Sequence, residues 1–298
     1  MTTPTKTDRS IECKQLLLSE KQCVCFLGAG MSKPPGDDWK GLVQKIAQSA
    51  GLEFNPDGQP DDYLLTLIDD CIAKNIAACN DSLRESIPAA PLVLRSAGNY
   101  LLKFKLKAIF TTNFDPWLKD QPKFGDFKNG YCYYPDLHQH NGIVDRFYFL
   151  HGLFDADDPD STIENLVLGK NSFDIAYSDA SLLPGLLLNA FVYENLVFVG
   201  INPLEPHLSN LLEKSLEIRR RIGPNADVKR FIFTPEPTAV NPEEKEIERQ
   251  QLTRFDALGL EPVFYDGSLP DYRGIDVLLR SWAKDSPGAF LERQTGFN

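Results

Sequence analysis

Six short runs of β-branched and aromatic residues, each nearly continuous in apolar character, constrain the fold of this chain more than any other feature. They are "QCVCFLG" (22–28), "AIFTTN" (108–113), "RFYFLHG" (146–152), "NLVFVG" (195–200), "KRFIFT" (229–234) and "PVFYD" (262–266). A strand with one wet face alternates apolar and polar residues. A strand apolar throughout is covered on both faces, as in parallel sheets. Helical patterns fall between the runs. Behind Asp37 and Asp38, which suit caps, residues Trp39, Leu42, Val43, Ile46, Ala47 and Ala50 share one helix stripe. Further helices are expected over 61–79, 90–104, 184–194, 206–222, 241–258 and 273–284. Strands alternating with helices give an α/β chain: a parallel sheet with helices on both faces.

Two intervals are too long for simple crossovers. Residues 51–104 hold several helical segments and no convincing strand, and residues 153–194 open on the acidic loop "DADDPDS" before turning helical. Both are assigned to an inserted helical lobe beside the sheet, with a cleft between the two. The 298 residues then make a single domain over 1–298, with the sheet drawn from about 22–50, 105–152 and 195–284.

The formal net charge of -11 and a pI near 4.9 set the surface as a whole against a nucleic-acid backbone. The one dense basic run, "IRRRIG" (218–223), reads as a helix C-terminus, where cations suit the dipole. Direct nucleic-acid binding is not expected. "MTTPTKTDRS" leads into a polar-faced helix and not an apolar signal segment, and "LLPGLLLNAFVYENLVFVG" (182–200) is broken by Pro184, Gly185, Asn189 and Glu194. No membrane span is expected, and the cytoplasm is the expected compartment. Cys13, Cys23, Cys25, Cys71, Cys79 and Cys132 include no C-x-x-C pair, which fits reduced thiols and no metal.

"FLGAGMS" puts Gly28, Ala29 and Gly30 at the end of the first strand. Glycines there permit a tight turn and a close approach of backbone to phosphate, and the following helix offers free N–H groups. Ser32 adds a hydroxyl donor. The full G-x-G-x-x-G is absent, since Lys33 stands at its third glycine, and no P-loop is present. A tight turn with no ligand explains the glycines as well. Ligands of open parallel sheets sit beyond the carboxyl ends of the strands. Thr111, Thr112, Asn113, Asp115, His151 and Asn202 all follow strands and collect at that rim. Of the four histidines, His138 and His140 lie in a tyrosine-rich loop and His207 at a helix start, where they read as surface or capping residues. His151 differs: a strand holds it, and Gly152 leaves room beside it.

In this order and spacing, "FLGAGMS", "IFTTNFD", "FYFLHG" and "LVFVGIN" resemble the sirtuin superfamily, and more closely the prokaryotic sirtuin-like NAD hydrolases of anti-phage defence. "LVLGKNSFDIAY" (166–177) and the closing "LGLEPVFYDG…GIDVLLRSW" share the resemblance, which spans roughly 22 to 284. It implies a Rossmann-like sheet without a zinc ribbon, because the paired C-x-x-C of sirtuin deacylases is missing. It also implies NAD+ as substrate. Gly28, Ala29, Gly30 and Ser32 would cradle the pyrophosphate, and Asp38 and Trp39 fall near a loop that closes over the dinucleotide. Thr112, Asn113 and Asp115 would line nicotinamide and the reacting ribose, with Asn113 fixing hydroxyls and a water. His151 would be the catalytic base, working near its ordinary pKa of about 6.5. Gly200 and Asn202 would meet the ribose of the adenosine half, where Ile201 departs from the small hydroxyl residue usual in the family.

The implied activity is NAD+ glycohydrolysis to nicotinamide and ADP-ribose. A zinc-free deacylase, an ADP-ribosyltransferase and a non-catalytic NAD or ADP-ribose sensor or scaffold remain open. A constitutive NAD+ hydrolase would poison its host, and "AKDSPGAFLERQTGFN" is too short for a sensing domain. Control is therefore expected from self-association into a homo-oligomer, from a partner such as a HerA-like ATPase or an Argonaute-type protein, or from a phage component.

Overall fold

The computed structural model describes residues 6–31, 39–57, 59, 62–87, 100–116, 130–137, 143, 146–223, 228–269 and 272–285. One sheet holds β1 (Cys23–Leu27), β2 (Ala108–Thr111), β3 (Tyr131–Tyr133), β4 (Arg146–Phe149), β5 (Asn195–Val199), β6 (Arg230–Pro235) and β7 (Glu261–Tyr265). The strands lie in the order β3-β4-β2-β1-β5-β6-β7, and every neighbouring pair is parallel. The helices are α1 (Lys6–Leu18), α2 (Trp39–Ser49), α3 (Tyr63–Ser86), α4 (Lys170–Ala176), α5 (Leu182–Tyr193), α6 (Pro206–Ile222), α7 (Pro242–Ala257) and α8 (Arg273–Ala283). The expected α/β class, with a parallel sheet covered by helices on both faces, is the observed one. All six expected strands form, and β3 is added at one edge. The expected helix over 90–104 lies for the most part outside the described residues.

The inner strands are apolar because each feeds two cores. Along β1, Cys23, Cys25 and Leu27 enter the core closed by α1 and α8 through Cys13, Leu17, Ile275, Leu279 and Trp282. Val24 and Phe26 enter the opposite core, closed by α5, α6 and α7 through Leu187, Phe191, Leu212 and Phe255. This is the period-2 alternation of a strand with both faces dry. A ring ladder crosses the second face at one level. Phe26 meets Phe110 at 4.9 Å and Phe198 at 4.9 Å, and Phe110 meets Tyr148 at 4.6 Å. Burial of each such ring contributes roughly 1.5–3 kcal/mol. At the other end of the sheet from the strand tips, buried Arg230 donates to the Phe191 carbonyl, to Leu258 O at 3.2 Å and to Ser215 Oγ at 2.7 Å.

A third core joins Val43 and Ile46 of α2 to Ile68, Cys71 and Leu83 of α3 and to Phe154, Ile163 and Leu166 of the loop behind β4. Inside α3, Asn75 leaves helical geometry (φ -159°, ψ 83°), and its side chain caps the second half at Ala78 N, 3.2 Å away. The expected extent of the helical lobe needs one correction. Residues 182–193 belong to the sheet layer, because α5 buries Leu183, Leu186, Leu187, Ala190 and Phe191 with Val24, Phe26 and Phe198.

The chain runs from β1 through β2 to the edge strand β3, comes back to β4, and then crosses to β5 on the other side of β1. This reversal opens a crevice beyond the carboxyl ends of β1 and β5. Leu27, Thr111, Phe149 and Val199 stand level across the four central strands. The turns that leave them therefore share one rim, about 14 Å long at three strand spacings of about 4.8 Å.

Candidate active site

The turn after β1 is a single 3-10 turn, Ala29–Met31, held against the turn after β5. Gly28 N–H donates to Val199 O at 3.2 Å, Gly30 N–H to Gly200 O at 2.9 Å, and Met31 N–H to Gly28 O at 2.9 Å. A Cβ on Gly28 would stand 2.5 Å from Gly200 O and 2.6 Å from Ile201 Cα, so the backbone of the β5 turn fills that space. Gly200 itself has φ +64°, and a Cβ there would lie 3.0 Å from Met31 N. The mutual approach of two turns thus accounts for these glycines, and three of the turn's N–H groups are taken by protein carbonyls. Among the described residues, α2 begins at Trp39. Ser32 and Asp38 lie outside the described residues. Trp39 is partly buried against the α2–α3 core.

The turn after β2 is tied to both neighbours. Thr111 Oγ donates to Leu27 O at 3.1 Å and accepts Asn113 N–H at 3.1 Å. Thr112 N–H donates to Leu27 O at 3.2 Å. Buried Asn113 sends its side-chain amide to Gly28 O at 3.0 Å. Beside it, Leu150 N–H donates to Thr111 O at 2.8 Å, which fixes the level of His151. Asp115 stands two residues past Asn113, and Phe154 N–H donates to the intervening Phe114 O at 2.7 Å.

His151 is 6% exposed, and its ring turns under α4. Its carbonyl accepts Val167 N–H at 2.9 Å, so the loop that leads to α4 starts from the histidine's own backbone. Asp69 of α3 accepts Asn171 N–H at 2.9 Å and pins the start of α4. Phe173 and Tyr177 then come down on His151, edge to face, at 5.0 and 5.9 Å between ring centroids. His151 Nε2 lies 2.9 Å from the Tyr177 hydroxyl. Gly152 does not leave open room beside the histidine. It has φ +91°, and a Cβ there would meet Asn165 O at 2.6 Å.

Burial, with a smaller contribution from His207, pushes the His151 pKa down to about 3. The expectation of a base near 6.5 is corrected accordingly. The ring is a neutral imidazole across the ordinary pH range, because protonation would place a charge in a dry site.

His207 is no simple surface or capping residue. Its ring stacks on Tyr177 at 4.6 Å and on Phe173 at 5.3 Å. Glu205, just before α6, has its pKa raised to about 7 by burial, while the backbone N–H of His207 draws it back. Asn202 acts locally. Its side chain accepts Leu204 N–H at 3.1 Å and shapes the chain into α6, and the residue is exposed. Tyr177, Glu205 and His207 carry no site signal that sequence reasoning picks out. The string "LVLGKNSFDIAY" does contain Phe173 and Tyr177 at helical i, i+4 spacing, but nothing in it places them over His151.

The six cysteines are all described, buried and unpaired by disulfides, and they are dispersed through all three cores. Burial pushes the Cys23 thiol up to about 12 and, ahead of smaller electrostatic effects, Cys71 to about 11. These thiols do not fit a zinc site, which needs converging thiolates. Among the described residues, no group of three or more His, Cys, Asp or Glu side chains is placed to hold a metal ion, and no helix is long and apolar enough to cross a membrane. A shallow groove of about 310 Å³ lies apart from the site, behind β6, between Thr238 and Glu248.

A doubly wound parallel sheet, with polar side chains gathered on the turns around its switch point, defines the class: an α/β fold of the Rossmann type. Comparison with protein families then matches residues 107–261, just over half the chain, to the family described as SIR2-like domain. The chain belongs to the SIR2-like domain family, whose members use NAD+. The match begins at β2 and ends on β7, so it takes in Asn113, His151, Tyr177 and His207. A comparison with curated proteins gives no match.

Proposed function

We propose that this chain is an NAD+ glycohydrolase that depletes NAD+ as an effector of prokaryotic anti-phage defence. One observation carries the reading: Asn113, His151 and the Gly28–Gly30 turn occupy adjacent strand ends beside the switch point of a SIR2-like sheet. In the proposed reaction the bond between ribose C1′ and the nicotinamide nitrogen breaks, and its electron pair leaves with nicotinamide. Water adds to C1′, and one proton is released. The ribose passes through an oxocarbenium-like state, which neutral water attacks readily, so the proton is lost late. Water itself can take that late proton, so the step needs no strong base, and a neutral His151 serves by holding the attacking water or the ribose through its ring N–H. Asn113 orients the ribose hydroxyls and the water, and Thr112 and Asp115 line the same turn. Gly28, Ala29, Gly30 and Ser32 hold the pyrophosphate, and Asp38, Trp39, Gly200 and Asn202 complete the dinucleotide site. Control comes from outside the fold: self-association, a partner ATPase or Argonaute-type protein, or a phage component in the cytoplasm.

A second reading, a non-catalytic NAD or ADP-ribose sensing subunit, draws on the hydrogen bond that occupies His151 Nε2. Product analysis separates the readings. Purified protein is incubated with NAD+, with and without an acetyl-lysine peptide, and nicotinamide and ADP-ribose are followed by chromatography. Peptide-independent release of both supports glycohydrolysis. Peptide-dependent release supports a deacylase, and ADP-ribose binding without nicotinamide release supports a sensor.

A further inference from the structure

Tyr177 sits where α4 ends, partly exposed along its ring but with its hydroxyl driven into the fold against His151 Nε2. Burial around that hydroxyl, with the charge of Glu205 added, holds its pKa well above the ordinary phenol value. It is therefore protonated at any working pH, and its proton needs an acceptor. Among the described residues, that partner is His151 Nε2. A neutral imidazole has one acceptor nitrogen and one N–H. If Nε2 accepts from the phenol, the ring proton resides on Nδ1.

The phenol is itself held in place. Phe173 stacks beside it at 5.8 Å and 6° between planes, and His207 covers it from α6. The start of α4 is fixed to α3 by Asp69 and Asp62, the latter 3.3 Å from Lys170 Nζ. A chain of contacts thus runs from the helical lobe through α4 to one nitrogen of His151.

We propose that Tyr177 is a positioning residue for His151: its hydroxyl donates to Nε2, fixes the ring as the Nδ1–H tautomer, and so determines which nitrogen faces a ligand at the rim. The catalytic consequence rests on the glycohydrolase reading, whereas the tautomer does not. The phenol stabilises the neutral ring, and its loss lets the ring rotate, populate both tautomers and accept a proton more readily. Other groups that titrate or carry charge around the ring stack are His207, Glu205, Asp174 and Lys170, and none of them is altered by Tyr177→Phe. That substitution keeps the stack and removes one oxygen.

The test is side-chain nitrogen NMR on protein labelled with ¹⁵N-histidine, comparing wild type, Tyr177→Phe and Phe173→Leu. Wild-type His151 should show a pyridine-type Nε2 and a pyrrole-type Nδ1. Tyr177→Phe should mix the two forms and titrate at higher pH, while Phe173→Leu, which loosens only packing, should keep the wild-type pattern. A pyrrole-type Nε2 in wild type, or an unchanged pattern in Tyr177→Phe, overturns the proposal. If Tyr177→Phe does not fold, the wild-type tautomer alone decides. In NAD+ turnover, Tyr177→Phe should lower kcat about tenfold to a hundredfold with KM within about twofold, the mark of lost orientation. Unchanged kcat overturns the positioning role. Absence of turnover in wild type overturns the glycohydrolase reading and leaves the tautomer result standing.

Discussion

The Asn113 side-chain amide donates to the Gly28 carbonyl at 3.0 Å, so a buried hydrogen bond joins the turns after β1 and β2. One residue thereby serves the fold and the proposed site at once. It pins the glycine turn, and in the proposed reaction it also orients the reacting ribose. Effects of changing Asn113 on binding and on chemistry are therefore not independent.

Replacing Asn113 tests that double role. Asn113→Ala should lower stability by about 1 kcal/mol, the usual net worth of such a bond. Asn113→Asp should cost more, because a carboxylate would face a carbonyl oxygen. Urea unfolding of both variants gives the order. Equal stability of Asn113→Asp and wild type would mean that the turns are not joined through this side chain.

The glycine turns make a second prediction. In Gly28→Ala the new methyl meets Gly200 O at 2.5 Å and Ile201 Cα at 2.6 Å, both too close and both anchored by strands. Loss of about 1–3 kcal/mol is expected from overpacking at such a site. Gly185→Ala, where a Cβ meets nothing within 4 Å, serves as the control. Thermal unfolding that ranks Gly28→Ala level with Gly185→Ala would remove the turn-to-turn contact as the reason for Gly28.

His151 predicts a pH signature. Its folded pKa, about 3, lies below the unfolded value of about 6.5. Above 6.5 both states are neutral and the histidine contributes no slope. As pH falls below 6.5 the unfolded chain takes up a proton that the folded ring refuses, so stability is lost down to about pH 3. Glu205, raised to about 7, acts with the opposite sign between about pH 4.5 and 7. Comparison of wild type with His151→Gln isolates the histidine, since Glu205 is common to both. Wild type should lose stability to acid more steeply below pH 6.5. Parallel stability curves would contradict a buried neutral ring.

Arg230 offers a test of the fold away from the site. Arg230→Ala strands the Phe191 and Leu258 carbonyls and the Ser215 hydroxyl in a dry layer, so a loss of about 3 kcal/mol or more is expected. Arg230→Met fills the space and should recover part of it. Chemical denaturation measures both. An Arg230→Ala protein as stable as wild type would show that solvent reaches these groups.

Much of the sheet is legible in the sequence because strands covered on both faces leave a strong mark, as in Cys23–Leu27 and Asn195–Val199. β3 leaves none. It is three residues long, with Tyr131 and Tyr133 exposed around Cys132, and its pairing with β4 is decided by the sheet edge and not by its own pattern. The apolar run at 182–193 announces a helix, but not which layer it covers. At the site, the rim positions of Asn113 and His151 follow from strand ends alone. The depressed pKa of His151 does not, because it arises from α4, whose Phe173 and Tyr177 reach the histidine through the loop between 152 and 169. His207 misleads for the same reason. A proline before it signals a helix start, whereas the ring it stacks on is thirty residues earlier in the chain. A glycine at 152 suggests open space, and the backbone at Asn165 occupies that space.

The most direct test of the central claim is nicotinamide release from NAD+ by wild type, Asn113→Ala and His151→Gln, measured over a range of protein concentrations. His151→Gln is preferred to His151→Ala because the ring is buried against Phe173 and Tyr177, and a truncated side chain would leave a cavity. Cooperative unfolding of each variant is checked first. Wild type should release nicotinamide, more so when concentrated, and both variants should fall by about a hundredfold or more. Release by His151→Gln at more than roughly a tenth of the wild-type rate, a smaller loss than misplacement of a reacting group brings, would contradict the account.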